Sequence, residues 1–168
     1  PGPTILNEDA RCLQTTNIEM ADDATVIVGD IFVPNGLTHH EPFSFDHFHS
    51  VTEARVNDSL VCADAVELRP SERDPRSQAT VGEFSVVGTL YILTPSTDVS
   101  ALADIIHNRL SDLSDIVAGT SILREDTGVT VRVLGERSAD VTTAVEAAWD
   151  ETRQTILGVG APIERDAR

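Results

Sequence analysis

Lysine is missing from this chain of 168 residues. All 12 cationic side chains are therefore arginines, and they are outnumbered by 28 aspartates and glutamates, which gives a formal net charge of −16. A nucleic-acid partner would need clustered cations against its phosphates, so this charge balance argues against one. The acidic residues are scattered along the whole chain instead of forming a tail.

Such an acidic surface has two explanations. It can be a binding face for a basic partner, or it can be an adaptation to a very salty cytoplasm. At molar salt the Debye length falls to about 3 Å, so carboxylates hardly repel one another and keep the surface hydrated. The even scatter of the acidic residues favours salt adaptation.

Cysteines, aromatics and long apolar runs are also scarce. Cys12 and Cys62 are the only cysteines, and they lack the spacing of a metal site. Aromatic residues make up 4% of the chain, yet 40% of it is hydrophobic, which is close to the proportion in globular proteins. No run reaches the length of a membrane-spanning helix and no signal peptide is recognised, so we expect a cytoplasmic protein without a membrane partner.

Recognisable catalytic motifs are absent as well. The chain has no nucleophile elbow, phosphate-binding loop, dinucleotide fingerprint or C-x-x-C pair. Gly158-Val159-Gly160 lacks the third glycine and the following helix, and it is interpreted as a tail turn. We therefore predict a protein that is not an enzyme and works by binding partners.

The first part of the chain is dominated by strand signals. Residues 24–33 form an apolar, β-branched run, and residues 49–56 and 60–68 flank a turn at Asn57-Asp58, which predicts a hairpin. The polar, proline-containing segment at residues 69–78 predicts a loop.

The second part has a different rhythm, β-α-β-β-α. Its predicted elements lie at residues 84–93, 99–117, 120–123, 129–134 and from 138 onward. Ser96 or Thr97 is expected to cap the first helix and Gly119 to end it. The fold class is therefore mostly β (α+β), with packed sheets and two helices on one face.

We divide the chain into three parts on these patterns. Residues 1–70 form a β-strand region, residues 71–82 a polar loop, and residues 83–168 the β-α-β-β-α region of the same scaffold.

Four of the five histidines lie within eleven positions, at His39, His40, His47 and His49. Imidazole and carboxylate groups are good ligands for nickel, zinc or copper, and two histidines in an H-x-H pair on a strand share one face. The segment is nevertheless polar and loop-like, and no third ligand has a fixed spacing. Exposed loop histidines are the favoured interpretation, and a metal site is the alternative.

Two carboxylates interrupt apolar strand faces. Asp30 alternates with Val28 and Phe32, and Asp64 alternates with Cys62 and Val66. A lone buried carboxylate costs several kcal/mol unless it is paired, hydrated or neutralised. Each acid is therefore either paired with an arginine such as Arg55 or Arg11, or faces an internal, water-filled passage.

The order of several short segments resembles the urease accessory proteins of the UreD (UreH) type. The most specific are Gly88-Thr89-Leu90 and Ala118-Gly119-Thr120-Ser121. The others are Pro3-Thr4-Ile5-Leu6, Ala10-Arg11, the run ending in Asp30, Glu41-x-Phe43, the hairpin to Leu68, residues 129–134 and Trp149.

The chain also departs from that family. It has Asn35-Gly36 where the family usually has Gly-Arg, Asp64 where the family acid is often Glu, and no final aromatic near its C-terminus. The family has a sizeable β region before the position of Pro1. The chain is therefore expected to be the C-terminal part of such a protein, or a split or mis-started version of it. Its acidic composition suggests a halophilic organism.

The resemblance implies a scaffold for urease maturation. UreD-type proteins bind urease apoprotein, a UreF-type accessory protein and the UreG-type GTPase, and nickel is thought to pass through them to the urease active site. The resemblance makes Asp30, Asp64 and Glu41 candidates for that passage. It implies transient contact with Ni²⁺ and no tightly bound cofactor.

Two other functions stay open on the residues alone. One is a metal-dependent enzyme that uses the cluster from His39 to His49. The other is a generic acidic binding domain without a link to urease.

Overall fold

A computed structural model describes residues 3–34, 41–78, 80–95 and 97–162. Over these ranges the chain forms eight strands and two α-helices. The strands are β1 (Thr4–Leu6), β2 (Arg11–Met20), β3 (Val26–Pro34), β4 (His47–Val56), β5 (Ser59–Leu68), β6 (Val86–Leu93), β7 (Ile116–Ile122) and β8 (Gly128–Gly135). The helices are α1 (Val99–Ser111) and α2 (Ser138–Leu157). Neither helix is long and apolar enough to cross a membrane, within the ranges that the structure describes.

The strands form two sheets. One has five strands in the order β1-β3-β6-β8-β7, and the other has three in the order β2-β4-β5. The pairs β1–β3 and β2–β4 are parallel, and the remaining neighbours are antiparallel. Strands from before and after the polar segment thus share the larger sheet. The hairpin predicted around Asn57 and Asp58 is confirmed as β4 and β5, and both turn residues have positive φ angles.

The molecule has three layers, because successive side chains of a strand point to opposite faces. On β6, Val86, Leu90 and Ile92 pack against the helices, whereas Tyr91 and Leu93 pack against the three-stranded sheet. Both helices lie on the same face of the five-stranded sheet, and their fully buried residues include Leu102, Ile106, Val141, Ala144 and Ala148. The predicted mostly β fold with two late helices on one face is confirmed.

Two apolar clusters hold the sheets together. The phenylalanine cluster consists of Leu6, Phe32, Phe43, Phe45, Phe48, Leu68 and Val81. In it, the rings of Phe32 and Phe48 stack across the interface with centroids 4.6 Å apart. The methionine cluster consists of Met20, Ala54, Val61, Cys62, Tyr91 and Leu93.

The first helix is shorter than predicted. It begins after Asp98, whose side chain accepts a hydrogen bond from the backbone N–H of Ala101 at 3.1 Å, so Asp98 is the cap and Thr97 is not. Ser96 lies outside the described residues. The helix ends at Ser111, and Gly119 lies inside strand β7 instead of ending the helix. Strand β7 takes over at Ile116, directly after Asp115 adopts a left-handed conformation.

Candidate functional site

A polar layer separates the two apolar clusters between the sheets. On β3, Asp30 precedes Phe32 of the phenylalanine cluster, and on β5, Asp64 lies two residues from Cys62 of the methionine cluster. Ser50, Thr52 and Thr89 occupy the matching positions on β4 and β6. The polar groups therefore meet at mid-height between the sheets.

This layer surrounds a cleft of about 360 Å³, which we call the inter-sheet cleft. Its lining includes Asp30, Asp64, Thr89, Tyr91 and Arg132, with Phe32 and Leu68 on its apolar side. Period-two alternation on β3 and β5 predicted that both acids would face inward. The structure brings them to one cleft, although they come from different sheets.

Asp64 has strong partners. The Tyr91 hydroxyl donates a hydrogen bond of 2.6 Å to its Oδ2, and the Arg132 guanidinium donates to the same oxygen. The side chains of Asp64 and Arg132 are 26% and 41% exposed. The ion pair is therefore only partly shielded from solvent.

The predicted arginine partners are wrong. Arg11 pairs with Asp46 at 3.0 Å, and Arg55 pairs with Glu53 at 3.5 Å. The partner of Asp64 comes from β8, which belongs to the opposite sheet and lies far along the chain.

The negative environment of Asp64 acts on its neighbours. Burial raises the pKa of Tyr91 well above its ordinary value, and the hydrogen bond to Asp64 raises it further. Tyr91 is therefore protonated at neutral pH and serves as a donor. Burial also raises the pKa of the Cys62 thiol, and the charge of Asp64 adds to that effect. The Cys62 thiol is thus kept neutral beside the cleft.

Asp30 has weaker partners. Gln14 donates a hydrogen bond of 3.3 Å to its Oδ2, and Thr4 donates one of 3.4 Å to its Oδ1. Both donors are neutral, and within the described ranges no arginine lies at ion-pair distance from Asp30. The two cleft carboxylates therefore differ: Asp64 is paired with a cation, whereas the hydrogen bonds that Asp30 accepts come from neutral groups.

The third candidate acid lies elsewhere. Glu41 is exposed at the start of the segment that leads to β4. Glu41 is not one of the described residues that line the inter-sheet cleft.

Two of the clustered histidines, His47 and His49, lie on strand β4 instead of in a loop. His47 and His49 share the outer face of the three-stranded sheet, with ring centroids 6.3 Å apart. His47 Nε2 lies 3.0 Å from a carboxylate oxygen of Glu67, which also accepts hydrogen bonds from Arg69. The hydrogen bond from Arg69, and then that with His47, lower the pKa of Glu67.

A metal centre finds no support in the ranges that the structure describes. No group of three or more histidine, cysteine, aspartate or glutamate side chains there is arranged to hold a metal ion. His39 and His40 lie outside the described residues.

Sequence reasoning missed three of the site's polar residues, Arg132, Tyr91 and Gln14. The alternation that located Asp30 also applies to β8, where Thr130, Arg132 and Leu134 alternate with buried valines. A strand with one face in water has the same alternation, so this pattern alone does not mark Arg132 as an inward cation. Tyr91 is the only tyrosine of the chain, in an otherwise apolar strand.

Comparison with known proteins places these observations in context. The chain matches the model of the UreD urease accessory protein family over residues 1–168. It is 64% identical over 163 residues to urease accessory protein UreD of Haloquadratum walsbyi, across 97% of this chain and 53% of that protein. It is 58% identical over 165 residues to the UreD of Natronomonas pharaonis, across 98% and 55%.

A more distant relative matches over a similar share of both chains. Urease accessory protein UreD 2 of Brucella suis is 28% identical over 165 residues, across 96% of this chain and 55% of that protein. The chain thus spans about half the length of the relatives that it matches. The two most similar of these three come from halophilic archaea, which agrees with the interpretation of the acidic surface as salt adaptation.

Proposed function

Because this chain belongs to the UreD urease accessory protein family, we propose that it is a non-catalytic scaffold for urease maturation in the cytoplasm. In this role it binds urease apoprotein together with UreF-type and UreG-type partners. It passes Ni²⁺ toward the urease active site through the inter-sheet cleft, where Asp30 and Asp64 provide the contacts.

One observation carries the nickel part of this proposal. Asp30 and Asp64 come from different sheets yet line the same cleft, at mid-height between two apolar clusters. A charge in such a place is unfavourable for stability, because the attraction of a partner only partly offsets desolvation. Asp30 even lacks a cationic partner within the described residues. Two inward carboxylates in one cleft are therefore better explained by a cation that visits them.

The ligand chemistry suits transfer rather than storage. Nickel prefers imidazole ligands, whereas carboxylate oxygens suit harder cations. A cleft lined by carboxylates and hydroxyls binds Ni²⁺ weakly, and weak binding permits release to the next site. The cleft supports a path for nickel in this way.

The proposal leaves less room for the two alternatives. The family membership supplies the link to urease that a generic acidic domain would lack. Of the histidines that a metal-dependent enzyme would use, His47 is held in a hydrogen-bond network with Glu67 and Arg69.

The test is urease activation in cells that lack their own copy of this gene. The full-length protein carrying Asp30→Asn and Asp64→Asn together should give much less active urease at limiting nickel and should recover when nickel is abundant. Asp104→Asn, an exposed aspartate on α1, makes a matched control with the same change of side chain. Full activation by the double variant at limiting nickel would refute the passage.

Binding of the partners is tested separately. The tagged protein should co-purify with urease apoprotein and the UreF-type and UreG-type proteins in molar salt. The double variant should co-purify with them equally well, because both side chains are directed into the cleft between the sheets. Loss of the partners by the double variant would assign the acids to assembly instead of nickel transfer.

A further inference from the structure

Arg132 is the one basic side chain that lines the inter-sheet cleft in the described part of the chain. Its guanidinium donates to Asp64 Oδ2, the same oxygen that accepts from Tyr91. With Arg132 in place, Asp30, Asp64 and Arg132 together sum to a formal charge of −1. A scaffold that only needed to attract cations would gain from having no arginine there.

We propose that Arg132 sets the affinity of the cleft for divalent cations by occupying Asp64. A passing Ni²⁺ then contacts Asp30 first and reaches Asp64 only by displacing Arg132, instead of being held between two free carboxylates. This inference rests on the proposed function for its cargo, and it adds a residue that determines how tightly the cargo is held.

The sheet register fixes the positions of the charges. Asp30 on β3 is opposite Thr89 on β6, and Thr89 is in turn opposite Arg132 on β8. The three residues therefore lie abreast on one face, and Asp30 and Arg132 are two strand spacings apart, about 10 Å between their backbones. Arg132 extends across the interface to Asp64 on the opposite sheet.

Partial exposure makes the arrangement reversible. The Arg132 side chain is 41% exposed, so its guanidinium has access to water if a cation displaces it from Asp64. The Tyr91 hydroxyl, which is buried and held protonated, keeps donating to Asp64 when Arg132 leaves. Asp64 therefore changes its cationic partner without losing its orientation.

Removing the positive charge of Arg132 should change the Ni²⁺ affinity of the cleft by a measurable amount. Removing the guanidinium changes the summed formal charge of Asp30, Asp64 and residue 132 from −1 to −2 and frees Asp64 to bind. Attraction between a divalent cation and a carboxylate is screened less in a partly buried cleft than on the surface. We expect Arg132→Gln to bind Ni²⁺ about tenfold more tightly than the unaltered protein.

The experiment is a calorimetric titration of the purified protein with Ni²⁺ in molar potassium chloride. Adding Asp64→Asn to Arg132→Gln should abolish the gain in affinity, and Arg132→Lys should stay within about twofold of the unaltered protein because it keeps the charge. Arg11→Gln is the matched control, since Arg11 pairs with Asp46 at 3.0 Å and both side chains are exposed. It should leave the affinity unchanged.

A gain in affinity is a readout that a merely structural role would not produce, because a damaged fold binds more weakly. Arg132→Gln without tighter binding than the unaltered protein would overturn the inference. That result would leave the nickel passage standing if Asp30→Asn still impaired urease activation at limiting nickel. The two failures are therefore distinguishable.

A second measurement covers the case in which Arg132→Gln does not fold. In the unaltered protein, paramagnetic Ni²⁺ should broaden the carboxyl NMR signal of Asp30 at a lower concentration than that of Asp64. Simultaneous broadening of both signals would show that Asp64 is freely available and would overturn the inference.

Discussion

The two faces of the five-stranded sheet are built differently. On β3, the residues that face the helices are Ile27, Gly29, Ile31 and Val33, whereas the opposite face carries Asp30 between Val28 and Phe32. The helix side is packed with apolar side chains, and its buried Thr152 is satisfied by the carbonyl of Ala148. The other side has polar groups and a cleft in its middle.

This difference between the faces indicates that the helix face mainly stabilises the fold, whereas the inter-sheet face is available for function. Apolar burial contributes about 25 cal/mol per Å², and the buried cluster on the helix side consists of apolar side chains. The inter-sheet side gains less of this stabilisation, because its polar layer occupies area that apolar side chains could bury. A residue's effect on stability should therefore depend on the face to which it belongs.

The largest expected effect is on the helix face. Ile106 on α1 is fully buried against the sheet. Ile106→Ala should lower the free energy of unfolding by about 2–5 kcal/mol, because it removes apolar contacts and leaves a cavity. Its neighbour Ile105 is 38% exposed, and Ile105→Ala should cost about 1 kcal/mol or less. Denaturant unfolding in high salt measures both, and equal losses would contradict the assignment of the core.

A pair of strand glycines sharpens the comparison between the faces. A Cβ atom at Gly88, which faces α2, would lie 2.7 Å from Val145 and 2.8 Å from Val141. Gly88→Ala should therefore destabilise the protein by about 1–3 kcal/mol through overpacking.

Gly119 on β7 is the control for this substitution, because nothing lies within 4 Å of its added Cβ. Gly119→Ala should be neutral or stabilise by up to about 1 kcal/mol. A stable Gly88→Ala variant would show that α2 is less tightly packed on β6 than the structure indicates.

The two cleft acids on the polar face should differ in how much each contributes to the free energy of unfolding. Asp64→Ala removes the partner of Arg132 and Tyr91, so it should cost about 1–3 kcal/mol of unfolding free energy. Asp30→Ala breaks only two long hydrogen bonds to neutral groups and should cost less than about 1 kcal/mol. Thermal unfolding of the two variants side by side checks this order, and the reverse order would contradict the distinction between a paired and an unpaired acid.

The smallest effect is a pH dependence in the alkaline range. The pKa of Tyr91 is raised in the folded protein, so its contribution to stability is complete below about pH 10, the pKa of an unperturbed tyrosine. That contribution is lost as the pH rises toward the folded pKa, because the unfolded state loses its proton first. The unaltered protein should lose stability above about pH 10 more steeply than Tyr91→Phe.

Tyr91 is the only tyrosine of the chain, so its ultraviolet absorbance reports its ionisation directly. The folded protein should titrate well above the ordinary midpoint. A midpoint near that of free tyrosine would mean that Tyr91 is not buried against Asp64.

Local patterns predicted the elements and the orientation of the site residues. Alternation along β3 and β5 was sufficient to turn Asp30 and Asp64 inward, because the two-residue period of a strand is a local property. The hairpin around Asn57 and the helix from Ser138 followed from equally local signals.

Long-range relationships were not readable in this way. The partner of Asp64 is 68 residues away on the other sheet, and nothing in either strand alone selects Arg132 over Arg55. The end of α1 was misjudged because Leu113 and Val117 continue the helical spacing by coincidence, while Ile116–Ile122 pairs with β8 as a strand. Pairing across the sheet decided that segment over its local pattern.

The most direct test of the account is the nickel requirement of a protein with the single substitution Asp30→Asn. Asp30 is the cleft acid without a cationic partner in the described ranges, and its replacement should barely change stability. Cells carrying the variant should need several times more nickel than cells carrying Asp104→Asn to reach half-maximal urease activity. An unchanged nickel requirement in a stably folded Asp30→Asn protein would contradict the account.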